Sequence, residues 1–176
     1  MLRRLLFKLT GNRPARLIQR EGHPYLERYY IGQAFGLTCY LHRFVGTDPD
    51  EGSHNHPWNA LAVCLSGGYT ESRMVTLCPI TGWRSKYRTI FPGFFNWIRA
   101  SDFHQIVTLK RETWTLFIHG DYKAGWGFLR KKPCDYGCST HSMRVEFHQP
   151  FELQRASTPW WTRSPLGKDS EREEMA

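Results

Sequence analysis

The amino-acid sequence predicts a single all-β domain, a closed barrel or sandwich, and three observations carry that expectation. Short runs rich in aromatic and β-branched residues recur from residue 25 onward. Turn signals built from Gly, Pro, Asp and Ser separate them at close spacing. No long stretch of helical period falls between the runs, which argues against an alternating α/β architecture. With 176 residues, 40% hydrophobic content and abundant Trp, Tyr and Phe, the chain is long enough to bury one core.

The first element is an arm spanning residues 1–20. Leu2, Leu5, Leu6 and Leu9 recur at helical spacing with Arg3, Arg4 and Lys8 among them, which predicts a short amphipathic helix. So short a helix needs a surface to lean on, and the body of the protein or a second subunit is the expected one. A membrane surface or a nucleic acid is the rival. Strand-like runs then follow at 25–31, 37–44, 60–65, 69–77, 83–91, 95–99, 105–109, 114–119 and 126–130, with one more at 144–147. The turns between them are carried by Gly46-Thr47-Asp48-Pro49-Asp50, Ser66-Gly67-Gly68, Pro79-Ile80-Thr81-Gly82, Pro92-Gly93 and Lys110-Arg111-Glu112. After residue 150 the chain turns polar and Pro-rich. The expected organisation is therefore an arm at 1–20, a β-barrel at 21–150, and a polar, flexible tail at 151–176. Trp58, Trp97, Trp114 and Trp126 are expected to pack the barrel. No internal repeat is present.

The formal net charge of +8 is unevenly placed. Arg3, Arg4, Lys8, Arg13, Arg16 and Arg20 put +6 on the first twenty residues, which contain no acid, and leave +2 for the rest. Lys86, Arg88, Lys131 and Lys132 are too scattered to form a nucleic-acid surface on the body. Five cysteines (Cys39, Cys64, Cys78, Cys134, Cys138) are an odd number. The apolar stretch Leu5-Leu6-Phe7 is too short for a secretory leader, and no run approaches a membrane span. A cytoplasmic protein with reduced thiols is the expectation. Ser66-Gly67-Gly68 joins two strands and opens no helix, so it is not a phosphate loop.

The residues that carry chemistry are histidines. In His54-Asn55-His56, followed by Pro57-Trp58, the two imidazoles point the same way if the segment is extended. Two imidazoles on one face at the mouth of a buried strand are half of a metal site. His104, which opens the run 105–109, is the expected third ligand. Glu71 shares a strand face with Tyr69 and Arg73, and is expected to act either as a displaced fourth ligand or as a general base, if it is not simply paired with Arg73. His42, Tyr40 and His119 alternate on neighbouring runs and are candidates for substrate positioning or proton transfer. Cys134, Cys138 and His141, with His148 or Cys78, have a spacing within the looser range of structural zinc.

The stretch from Gly46 to Glu71, with His104 downstream, resembles the cupin superfamily of small jelly-roll barrels, and in particular a group of small uncharacterised cupins of bacteria and phages. His54, His56 and Gly67 match the first motif, although Ala60 stands at its glutamate position. Gly93 and His104 keep the spacing of the second, while Arg99, Ser101 and Thr108 replace its Pro, Gly and Asn. The resemblance implies a metal in the barrel mouth and, because three-histidine cupins include dioxygenases, iron(II) as its favoured identity. Ligand type alone admits Zn, Ni, Mn or Cu equally. It also implies a homodimer, for which closure of exposed sheet edges is a physical reason. Without the glutamate, three neutral imidazoles leave the cation's charge uncompensated and favour an anionic or bidentate substrate.

These readings together predict a metal-dependent, dioxygenase-type oxidoreductase acting on a small molecule. A metal-assisted isomerase or lyase of a sugar or hydroxy-carbonyl compound is the first alternative. A non-catalytic binding or assembly module that uses the basic arm is the second.

Overall fold

Strand pairing in a computed structural model of the chain follows the alternation of the sequence. The structure describes residues 1–20, 22–47, 53–78, 82–133, 141–149 and 158–172. One helix, α1 (Leu2–Thr10), precedes β1 (Ala15–Arg20), β2 (His23–Ala34), β3 (Leu37–Phe44), β4 (Trp58–Ser66), β5 (Tyr69–Cys78), β6 (Gly82–Ile90), β7 (Phe95–Ile98), β8 (His104–Leu109), β9 (Thr113–Tyr122), β10 (Trp126–Pro133) and β11 (His141–Gln149). The large wall is an antiparallel sheet in the order β1-β2-β3-β9-β4-β7. The second wall contains β6-β5-β8 and the pair β10-β11. His54 joins these two pieces, because its backbone bridges both His104 of β8 and Phe128 of β10. The result is the all-β jelly-roll barrel expected from the sequence, with helix α1 at its N-terminal end.

In β4 every second residue is buried, from Trp58 through Ala60, Ala62 and Cys64 to Ser66. These side chains enter the barrel. One half of the interior is apolar, with Cys64, Tyr69, Ile90 and Ile106 in one cluster. The other half is aromatic, with Tyr40, Trp58, Ala60, Ala62, Ile98 and Phe117 in a second. The turn from β4 to β5 requires glycine: at Gly67, φ is +72° and an added Cβ would stand 2.7 Å from Thr113 Cα.

Around β2, β3 and β9 the large wall is also buried on its outer face, which explains why β3 shows no clean alternation. Helix α1 lays Leu6 and Phe7 over Tyr29, Leu41 and Trp114. The expected docking surface for the arm is thus the body of the protein. Leu2, Leu5 and Leu9 remain exposed. Beneath the helix, Arg43 bonds Glu27 through Nη1 (3.2 Å) and Glu112 through Nη2 (2.8 Å), and all three are buried.

Two expected boundaries are corrected. Residues 15–20, assigned to the arm, form β1 and pair with β2 from Ala15↔Tyr29 to Arg20↔His23. Residues 158–172, assigned to a flexible tail, pack onto the barrel. Trp161 stacks on Tyr30 with ring centroids 4.4 Å apart, and Trp160 lies 5.8 Å from Tyr40. Arg172 donates to Tyr29 Oη, Phe7 O and Thr10 Oγ1, placing a cation at the C-terminal end of α1. Gly167 passes so close to α1 that a Cβ there would stand 2.3 Å from Thr10 O. The segment is polar overall, but its two adjacent tryptophans, Arg172 and backbone hydrogen bonds joining Pro165, Gly167 and Lys168 to Ala15, Arg13 and Gly11 anchor it. Trp97, expected in the packing, is 48% exposed because it lies on the outer face of the edge strand β7.

Candidate metal centre

Backbone pairing brings the three predicted ligands together. His54 and His104 exchange two backbone hydrogen bonds, N–H to O in each direction at 2.9 Å. Asn55 points to the opposite side from its histidine neighbours and pins the segment. Its Nδ2 donates to Ala100 O (3.1 Å) and Gly125 O (3.0 Å), and its Oδ1 accepts from Gly127 N–H (2.8 Å). A buried amide with its bonds met on two other chain segments leaves His54 and His56 little freedom to turn away.

The ring centroids of His54, His56 and His104 lie 5.0–5.2 Å apart pairwise. One ligand nitrogen from each lies within 4.8 Å of the others. His56 Nε2 and His104 Nε2 are 2.9 Å apart. Nitrogens that share an ion stand about 2.0–2.1 Å from it, so a spacing of this size is within reach of one cation. Burial lowers the pKa of His56 well below the usual imidazole value, and the neighbouring His104 and His54 add to the effect. A neutral imidazole is the form that ligates. The donor set therefore fits a divalent transition metal.

Glu71 is fully buried and stands behind His104. Its Oε2 accepts from His104 Nδ1 (3.1 Å) and from Asn96 Nδ2 (2.8 Å), while Arg73 Nη2 pairs with Oε1 at 3.0 Å. Burial alone would raise its pKa, but the hydrogen bond from His104, with Arg73 and Asn96, holds it below the usual carboxylate value. A carboxylate can only accept, so the proton sits on His104 Nδ1 and the lone pair of Nε2 faces His56. The residue expected as fourth ligand or general base thus turns its Oε2 to His104 Nδ1 and sets its Oε1 beside Arg73. The pairing with Arg73 is the part of the expectation that the geometry keeps.

The remaining predicted residues face the same interior. His42 is buried, stacks on Phe117 at 4.8 Å, and accepts a hydrogen bond from Arg28 Nε at 3.0 Å. Burial, with the charge of Arg28, holds its pKa well below the usual value. Tyr40 is buried between Arg28 and His119, and burial pushes its phenol up to about 12. His119 stacks on Trp58 at 4.0 Å and donates from Nδ1 to Gly120 O at 2.7 Å. Burial lowers it to about 4. Ala60, at the glutamate position of the resemblance, is buried opposite His119 and Ile98. The second cysteine and histidine group, Cys134, Cys138 and His141 with His148, lies outside the residues whose side chains are described.

Sequence reading missed Arg28, Asn55 and Asn96. Asn55 stands within the histidine motif itself, and its polar side chain opposite two imidazoles was the available signal. Arg28 and Asn96 carried none, because their partners are remote in sequence.

No family model matches the chain, and no curated protein matches it. Solved structures do. DMSP lyase DddQ from Ruegeria pomeroyi DSS-3 is similar at a TM-score of 0.49 and 18% identity, over 66% of this chain and 60% of that one. Hydroxypropylphosphonic acid epoxidase from S. wedmorenis is similar at 0.46 and 13%, over 64% and 56%. KdgF from Halomonas sp. is similar at 0.45 and 12%, over 61% and 87%. The chain thus spans little more than half the length of the epoxidase. At such values these likenesses do not bear on the reaction. Among the described residues no helix is long and apolar enough to cross a membrane.

Proposed function

We propose that this chain is a cupin-type metalloprotein in which His54, His56 and His104 hold one divalent cation, iron(II) being favoured, and that it acts as a dioxygenase-type oxidoreductase on a small molecule. The observation that carries the reading is the convergence of three imidazoles, with His56 Nε2 and His104 Nε2 2.9 Å apart and Glu71 fixing the tautomer of His104. Such a cation supplies Lewis acidity and, as iron(II), access to oxygen chemistry.

The protein's own part is positioning and exclusion of water. Phe117, Trp58 and Tyr40 form an aromatic wall beside the triad, which lowers the local dielectric and keeps solvent from a reactive intermediate. His42 accepts from Arg28 at Nε2, so its Nδ1 carries the proton and is available as a donor. His119 keeps an Nε2 lone pair, because Nδ1 is the donor to Gly120. His42, Tyr40 and His119 are the residues assigned to orient substrate or move a proton. The same wall supports a second reading, the metal-assisted isomerase or lyase, since three proton-handling groups beside one cation suit proton transfer. Activity under anaerobic conditions separates the two. The aromatics Phe95 and Trp97 on edge strand β7 are exposed, which supports a homodimer as part of this reading.

Elemental analysis of protein purified without chelator or added metal is the test. About one ion per chain is expected, with loss of more than about 100-fold in affinity for His104→Ala. Oxygen uptake that depends on iron(II) supports the oxidoreductase. A protein that binds no divalent metal overturns the reading.

A further inference from the structure

Arg28 differs from the other arginines that reach the protein's interior. Arg43 is held by Glu27 and Glu112. Arg73 is held by Glu71 and Asp102. Arg172 donates through Nε and Nη2 to Tyr29, Phe7 and Thr10. Arg28 is partly buried and spends only Nε, on His42, while its guanidinium lies over the Tyr40 ring at 5.3 Å. Among the described residues no carboxylate pairs with it and neither Nη atom has a hydrogen-bond partner. It points to the same side of the large wall as His42 and Tyr40, since Arg28 is in register with His42 and Tyr30 with Tyr40.

Trp160 Nε1, beside Tyr40, and two further polar atoms in this region lack partners among the described residues. Trp58 Nε1 is a buried donor and His119 Nε2 a buried acceptor. The two rings stack on each other, and Tyr40 lies between His119 and Arg28. The metal triad adjoins the same wall, with His56 6.0 Å from Phe117 and 6.4 Å from Trp58. Buried polar atoms are nearly always bonded. The unbonded ring nitrogens, and a guanidinium on the same wall whose Nη atoms no described residue engages, are accounted for together if a polar ligand completes them.

We propose that this wall is an oxyanion subsite, in which the Nη atoms of Arg28 bind a carboxylate or phosphoryl group of the small molecule while its other end faces the triad. The placement beside a cation rests on the metal-centre reading above; the oxyanion site itself does not. A planar guanidinium fork matches the paired oxygens of either group. Trp58 Nε1 and His119 Nε2 are left for a neutral acceptor and a donor, such as a carbonyl and a hydroxyl of the same molecule. The substrate class is thus a small oxygenated acid.

The test titrates sodium acetate, inorganic phosphate and neutral acetamide into both metal-free and zinc-loaded protein, against sodium chloride of equal ionic strength. Binding is read from the Arg28 side-chain Nε–H resonance and from melting temperature. Acetate, phosphate or both are expected to shift that resonance saturably, acetamide and chloride not at all. Whichever anion binds more tightly decides between carboxylate and phosphoryl. Arg28→Gln is expected to weaken binding at least about 10-fold with metal content unchanged, and Arg28→Lys to recover part of the loss. Wild-type affinity in Arg28→Gln overturns the proposal. So does a wild-type resonance that acetate and phosphate move no more than chloride does, which requires no variant to fold. Protein that takes up no zinc yet keeps Arg28-dependent anion binding overturns the metal centre alone. Protein that takes up zinc with no such binding overturns the subsite alone.

Discussion

Arg43 lies between Glu27 and Glu112 beneath α1, and Arg73 lies between Glu71 and Asp102 on the second wall. Both are arginine–carboxylate clusters with a fully buried or nearly buried acid, and residue types alone would not tell them apart. They differ in what stands at the far end. Glu27 ends on the Tyr29 hydroxyl, under a helix whose Phe7 ring covers Arg43. Glu71 ends on His104, whose other nitrogen faces two further imidazoles. The first cluster joins elements of the scaffold. The second passes its order to an atom that can ligate. A buried ion pair is therefore weak evidence for either role until its last contact is known.

Variants in the two clusters should diverge accordingly. Arg43→Met leaves two buried acids without their cation, and a loss of about 3–5 kcal/mol in unfolding free energy is expected from denaturant titration. Metal affinity of the folded fraction should stay at the wild-type level; a parallel fall would mean that the outer cluster also positions the triad. Glu71→Gln should do the reverse. An amide presents a donor as well as an acceptor to His104 Nδ1, so the tautomer is no longer fixed, and metal affinity should fall about 10–100-fold in competition with a chelator. Its effect on melting should be smaller than that of Arg43→Met, because Arg73 keeps Asp102 and Asn96.

Acid should distinguish the barrel interior from the outer face. His42 and His56 are held well below the usual value of 6.5 and His119 at about 4, in each case chiefly by burial. In the unfolded chain these imidazoles protonate near their ordinary value, while the folded chain refuses the proton until lower pH. The unfolded state thus binds more protons in that window. Stability of the metal-free protein should fall as pH drops below about 6.5, by up to about 1.4 kcal/mol per pH unit for each such histidine, and the His119 share should level off below about 4. Replacing His119 by Asn should remove its share of the slope. The smallest effect belongs to the exposed face of α1. Leu5 is 51% exposed, and Leu5→Ser should change stability by less than about 0.5 kcal/mol in the same titration.

Much of this arrangement was legible in residue order, and the rest for definite reasons was not. The period-two pattern of β4 and the pairing of His54 with His56 on one face are local properties of an extended backbone, so sequence spacing predicts them. The turn at Gly67 is equally local. By contrast, β1 is a strand whose identity rests on its pairing with β2, and the first twenty residues read as an arm because their charge conceals that pairing. The segment 158–172 reads as a tail because its anchors, two tryptophans, Arg172 and backbone bonds to residues 11–15, are aimed at residues far back in the chain.

What the amino-acid sequence determined by itself was the all-β class, the alternation of inward and outward residues, and the histidines able to ligate a metal. These follow from dihedral preference, side-chain chemistry and a period of two, all of which act over a few residues. Only the tertiary structure decided that Glu71 stands behind His104 and not in the cavity, that Arg43 belongs to the scaffold, and that no acid among the described residues pairs with Arg28. Each of those outcomes depends on which strands become neighbours across the barrel. That choice is settled by burial of the whole interior, which no short window of sequence contains.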